Sequence, residues 1–184
     1  MDKAFNDGPQ LGISLDTMRS WISWQLDKWE EWDKEQSDDS WLRIETGNSH
    51  WPTADRLLVH AFAPVRRYAE RILGNEPFDD KALQADSFAE LAAFGRECLA
   101  IHASASATFT TEQARAETKY QTRSAGEWTI TPEEALVHAL THCYWHLGGV
   151  VHLLRANNIA PPQWNDLIFY AAGLHEQDQS ASQG

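Results

Sequence analysis

The chain carries 27 acidic against 15 basic side chains over 184 residues, giving a formal charge of −12 and a pI near 5.0. That length suffices for one domain with a substantial core. No basic run supplies the clustered Lys and Arg that a polyphosphate requires, which argues against a nucleic-acid partner.

The two cysteines, Cys98 and Cys143, are too few and too far apart for a disulfide framework or a cysteine zinc site. The opening residues MDKAFNDGPQ hold no apolar signal core, so a cytoplasmic protein is expected. Helical periodicity begins over residues 15–35, where Leu15, Met18, Ile22, Leu26 and Trp29 fall at helical spacing beside Trp21, Trp24 and Trp32. A second helix is expected over 53–73. There Leu57, Leu58, Ala61, Val65, Tyr68 and Ile72 share a face, and Gly74 is a natural stop. Pro64 removes the amide that would bond the His60 carbonyl, so this helix should bend there.

The third helix, 87–107, opens with Ser87-Phe-Ala-Glu90, a capping box. The fourth has the strongest start signal, Thr131-Pro-Glu-Glu134, and ends near Asn157-Asn158, ahead of Pro161-Pro162. Two longer connections, 75–86 and 109–130, separate the last three helices, and the second can hold a short strand pair around Trp128. After Pro162, WNDLIFYAAGL reads as a short apolar segment that docks on the helices, and residues 175–184 read as a flexible tail. Four helices of about twenty residues make the expected fold an all-α four-helix bundle, one domain over 1–184 with an ordered core over about 14–172.

Residues 135–154, ALVHALTHCYWHLGGVVHLL, contain no Asp, Glu, Lys or Arg, yet they hold His138, His142, His146 and His152. The stretch reaches membrane-spanning length. Four imidazoles and a glycine pair are costly against lipid, and no second span accompanies it, so a helix buried in a bundle is expected and no membrane segment. On a helical wheel Leu136, Leu140, Cys143, Leu147, Val150, Val151 and Leu154 form the apolar stripe. His142 and His146 lie on its flank, among the small residues Ala135, Ala139 and Gly149.

Histidines at i and i+4 form half of a metal site, and burying two imidazoles side by side without a cation wastes solvation. His138, one turn earlier, is a candidate ligand or a group behind the ligands, whereas His152 and Trp145 point to the opposite flank. A third ligand must come from another segment. His60, at the edge of the second helix's apolar face, is the best candidate. A lone buried histidine is more often a satisfied core residue than a ligand. His50, His102 and His175 read as surface or linker residues, and both cysteines as small hydrophobes. Trp51, Trp128 and Trp145 are unprivileged candidates for lining a substrate site.

His60 in a mid-chain helix, then Thr131-Pro-Glu-Glu134 leading into His138-Ala-Leu-Thr-His142-Cys-Tyr-Trp-His146-Leu-Gly148, then Leu154-Arg155 and Pro161-Pro162, together resemble the DinB-like (YfiT-like) superfamily. Its motif reads His-x-x-x-His-x-x-x-His-x-Gly near the start of the last bundle helix, and the resemblance covers roughly residues 15–170. It implies up-down-down-up connectivity with long crossovers. It also implies a divalent metal ion, often zinc or nickel, held by His60, His142 and His146, with His138 outside the ligand set. Characterised relatives resemble thiol-dependent enzymes that transfer or isomerise with a low-molecular-weight thiol such as mycothiol or bacillithiol. The family often has Gln directly after the motif glycine, where this chain has Gly149, so a polar group near the metal is missing.

Three neutral imidazoles leave a zinc-like ion with an open position, as catalytic sites do. The leading expectation is therefore a metal-dependent thiol S-transferase acting on a small electrophilic substrate. No general base is identifiable, since Glu133 and Glu134 serve the helix start. The alternatives are a non-enzymatic metal-binding stress-response protein and a plain bundle whose histidines bind nothing. A homodimer fits the Trp-rich first helix.

Overall fold

Every long helix of the protein begins behind a Ser or Thr in extended backbone conformation. The computed structural model describes residues 13–81, 83–122, 126–163 and 166–173. Ser14 precedes α1 (Leu15–Lys34), Thr53 precedes α2 (Ala54–Ile72) and Ser87 precedes α3 (Phe88–Ser106). After a single turn, α4 (Thr111–Ala114), Thr131 precedes α5 (Pro132–Ala156). The Ser14, Ser87 and Thr131 hydroxyls each accept a backbone N–H three residues on, at 3.0, 3.3 and 3.1 Å, satisfying one of the orphan donors of a first turn.

At α5 the box is complete, because the Glu134 carboxylate accepts the Thr131 N–H at 2.8 Å. At α3 the expected box closes one residue upstream: the Glu90 carboxylate accepts the Asp86 N–H at 2.8 Å. A 3-10 helix over Asp39–Arg43, which no periodicity announces, carries Trp41 and Leu42 inward. The anticipated strand pair is present as β1 (Thr118–Thr122) and β2 (Gly126–Ile130), antiparallel with Tyr120 opposite Trp128. A last turn, α6 (Leu167–Ala171), docks against the core through Leu167, Phe169 and Tyr170.

The core draws Trp21, Ile22, Leu26 and Trp29 from α1, Leu58, Phe62 and Val65 from α2, Phe88, Leu91 and Leu99 from α3, and Leu140, Leu147 and Leu154 from α5. Removing each such side chain from water contributes roughly 1.5–3 kcal/mol. Gly95 lets three helices meet: a Cβ there would lie 3.0 Å from Leu26 and 3.1 Å from Phe62. Contacts between helices fall at matched heights. Arg19 meets His102, and Arg96 meets Asp27 and Glu30, across α1 and α3. Phe62 nears Gly95, and Arg66 pairs with Glu97, across α2 and α3. Tyr68 meets His138, and Leu57 nears Gly149, across α2 and α5.

The protein is thus mostly helical, with one small sheet. Among the described residues no helix is long and apolar enough to cross a membrane. The expectations for the N-terminal decapeptide, for His175 and for the 175–184 tail fall outside the described residues.

Candidate metal centre

The fourth predicted helix forms as α5, and its capping box fixes its first turn. From that start, His138, His142 and His146 recur one turn apart on a single side. The neighbouring stripe, Leu136, Leu140, Cys143, Leu147, Val150 and Leu154, is buried. His142 and His146 are consequently half-buried at its edge, while His138 is exposed. The partner surface is α2, which continues through Pro64 without ending there.

The structure brings His60, His142 and His146 together. One ligating nitrogen from each lies within 4.8 Å of the others. The three ring centroids are 4.4 to 4.9 Å apart, and the His60 plane stands at 74° and 78° to the other two. The Nε2 atoms of His142 and His146 are 3.2 Å apart. Two imidazole nitrogens bound to one zinc ion at ordinary bond lengths and near the tetrahedral angle stand roughly 3.3 Å apart, so the spacing matches a shared cation.

The electrostatics point the same way. Burial, followed by the neighbouring His146, His60 and His138 rings and Arg67, holds the His142 pKa down to about 3. Burial lowers that of His146 as well. Both rings are therefore neutral at pH 7, with lone pairs available. His142 Nδ1 is buried without a hydrogen-bond partner among the described residues, a condition that costs about 1–3 kcal/mol in a neutral polar group. No carboxylate joins the cluster among the described residues. An all-nitrogen, neutral donor set of this kind suits a borderline divalent ion such as zinc or nickel better than a hard one such as calcium.

His138 stands outside the trio. Its ring is 5.7 Å from that of His142 and perpendicular to Tyr68 at 5.7 Å. His152 is exposed and takes no part in the cluster. Two readings of the sequence need correction. Trp145 does not leave the site behind, because its indole lies against His146 at 5.8 Å and 22° while remaining 75% exposed. His102 is no surface residue: it is 0% exposed, and its nitrogens meet Arg19 at 3.0 Å and the Leu136 carbonyl at 3.1 Å.

Trp51, with no special claim in the sequence, stacks on His60 at 3.8 Å and 22° and turns an edge toward His146 at 5.6 Å. It stands in a loop without periodicity, and the only available signal was a lone aromatic nine residues before a candidate ligand. Both cysteines are buried, and burial pushes each thiol well above its ordinary range, as expected of small hydrophobes. At Gly149, where relatives carry Gln, an added Cβ would meet Leu57 only at 3.8 Å, so the position has room. A separate cavity of about 650 Å³, lined by Tyr144, Leu147, Val151 and Arg155, opens on a different face of α5 from the histidines.

No curated protein matches this chain. The model of the DinB family, in contrast, matches residues 10–178, nearly the whole length, including the second and fourth long helices and all three clustered histidines. The chain belongs to the DinB family.

Proposed function

We propose that this protein is a divalent-metal-dependent enzyme of the thiol S-transferase type, with His60, His142 and His146 as the ligands of a zinc or nickel ion. One observation carries the reading: three imidazoles from two helices converge with ligand nitrogens within 4.8 Å, two of them at the spacing a single cation demands. When bound, the ion would supply Lewis acidity, lowering the pKa of a thiol or water in an open position. The chain's own part is to keep these rings neutral by burial, so that protons do not compete for their lone pairs. Three neutral ligands also leave the charge of the ion uncompensated, which favours binding a thiolate.

We also propose the up-down-down-up connectivity. The pairings Arg19–His102 with Arg96–Glu30, Phe62–Gly95 with Arg66–Glu97, and Tyr68–His138 with Leu57–Gly149 support it, because their order along each helix gives the relative directions. The chain would then act as one cytoplasmic domain, with a small electrophile as substrate and a low-molecular-weight thiol as co-substrate. A homodimer is the proposed assembly, to be checked by light scattering.

Metal analysis of protein purified without a histidine tag tests the site. Near-stoichiometric metal is expected, falling away in His142→Ala and His146→Ala; substoichiometric metal in the wild type would sink it. Thiol titration of the cobalt-substituted protein then separates enzyme from metal-binding stress protein. Bacillithiol or mycothiol should perturb the visible spectrum and support conjugation of an electrophile. If neither occurs while metal is bound, the non-enzymatic reading stands.

A further inference from the structure

His142 and His146 orient one another, being one turn apart on the same helix with rings 4.4 Å apart. His60 has no such companion on α2. The second torsion of a histidine side chain is broad, so its nitrogens sweep an arc unless something fixes the ring plane. Pro64 adds to this freedom, since it withholds the amide that would bond the His60 carbonyl.

The element that meets this need is the loop ahead of α2. Glu45 and Thr53 form an antiparallel bridge, the Thr46 N–H donates to the Pro52 carbonyl at 2.9 Å, and the Ala54 N–H donates to the Ile44 carbonyl at 2.9 Å. Within that clasp the chain reverses at Gly47, whose φ of +73° favours glycine, and the Asn48 side chain accepts the His50 N–H at 2.8 Å. The Thr46 hydroxyl donates to the Trp51 carbonyl. The backbone of Trp51 is therefore held from both sides, and its indole lies nearly parallel on His60 at 3.8 Å with an edge toward His146.

We propose that Trp51 is a positioning residue of the metal centre: its indole fixes the imidazole plane of His60, so that the ligand nitrogen faces the His142–His146 pair before an ion arrives. The proposal rests on the metal-site reading above and adds to it a group that touches no ion. Freezing one torsion in advance raises affinity by lowering the ordering that binding must otherwise impose. Aromatic stacking supplies the restraint without competing for the lone pair.

Cobalt(II) titration of the wild type, Trp51→Phe and Trp51→Leu tests this. Phe keeps a flat ring against His60, whereas Leu keeps apolar bulk and loses the stack. Trp51→Leu should bind cobalt on the order of 10- to 100-fold more weakly, as when a group that orients a ligating histidine is lost, and Trp51→Phe should recover most of that loss. The visible spectrum of the Leu variant should shift as its coordination loosens. Unaltered affinity and spectrum in Trp51→Leu overturn the proposal. Should the Leu variant lose its helical circular dichroism in chelator, the decision passes to indole emission: cobalt should quench the wild type more than Trp51→Phe, and equal quenching also overturns the proposal. Absence of cobalt binding by the wild type is a different result, which removes the metal site itself.

Discussion

His102 and the His142–His146 pair are both withdrawn from water, yet their nitrogens end in different company. On His102, Arg19 can only donate, so Nδ1 accepts and Nε2–H donates to the Leu136 carbonyl. One tautomer is thereby selected, and α1, α3 and α5 are tied at one point. On the other side of the molecule, imidazole is packed against imidazole, and His142 Nδ1 finds no partner among the described residues. Burial alone does not separate the two cases, because it depresses both His102 and His142. What separates them is how much of the hydrogen-bonding capacity the protein itself fills. A satisfied imidazole is part of the scaffold, and a crowded, unsatisfied set is a request for a cation.

The comparison breaks most sharply on the ligands. His142→Ala should weaken metal binding by at least roughly 100-fold, beyond the range seen when only a supporting group is lost. In chelator the same variant should unfold within about 1 kcal/mol of wild type, because the removed ring had few protein partners to lose. Metal analysis and urea melts with and without chelator check both halves. Equal destabilisation of the metal-free protein by His142→Ala and His102→Ala would erase the distinction.

His102→Ala should cost about 2–4 kcal/mol in a urea melt, through the void and the polar groups of Arg19 and Leu136 left behind, while metal stoichiometry stays at the wild-type value. The pH dependence sharpens the same contrast. Burial, opposed by the Leu136 hydrogen bond and assisted by the Arg19 charge, holds His102 down to a pKa of about 4 from an ordinary 6.5. Its contribution is therefore fully present above pH 6.5 and is lost as pH falls toward 4, where the unfolded chain binds the extra proton. The loss is bounded at about 3 kcal/mol. His142 acts in the same direction, so the measurement belongs in a His142→Ala background, with His102→Gln as the flat control. The smallest effect expected is that of Thr131→Ala, which removes the α5 cap and costs about 1 kcal/mol in a urea melt, without discriminating between the two kinds of histidine.

Much of this was legible in the chain. Periodicity and caps located the long helices to within a residue or two, and i, i+4 spacing marked His142 and His146 as a pair. Local rules succeed there because each signal acts within one or two turns. His102 escaped because its partners are 83 residues before it on α1 and 34 after it on α5, distances over which no pattern reaches. Trp51 escaped for a similar reason: its placement comes from a clasp between residues 44–46 and 52–54, a tertiary arrangement without a period. The wheel misjudged Trp145 because it assigns directions to Cβ atoms, while a large indole leans back over its neighbour.

The sharing of the trio between α2 and α5 has a consequence for assembly. His60 and His142 stand about eighty residues apart in sequence, so an ion bound by both closes a long loop of chain, spanning all of α3 and the β1–β2 hairpin. Loop closure is an entropic penalty that grows only slowly with length. Such an ion therefore acts as a non-covalent staple on the folded chain and has little hold on an isolated α5 peptide, which offers it only two nitrogens. Metal supply during synthesis would then influence how much of this protein survives to fold, independently of any reaction it performs.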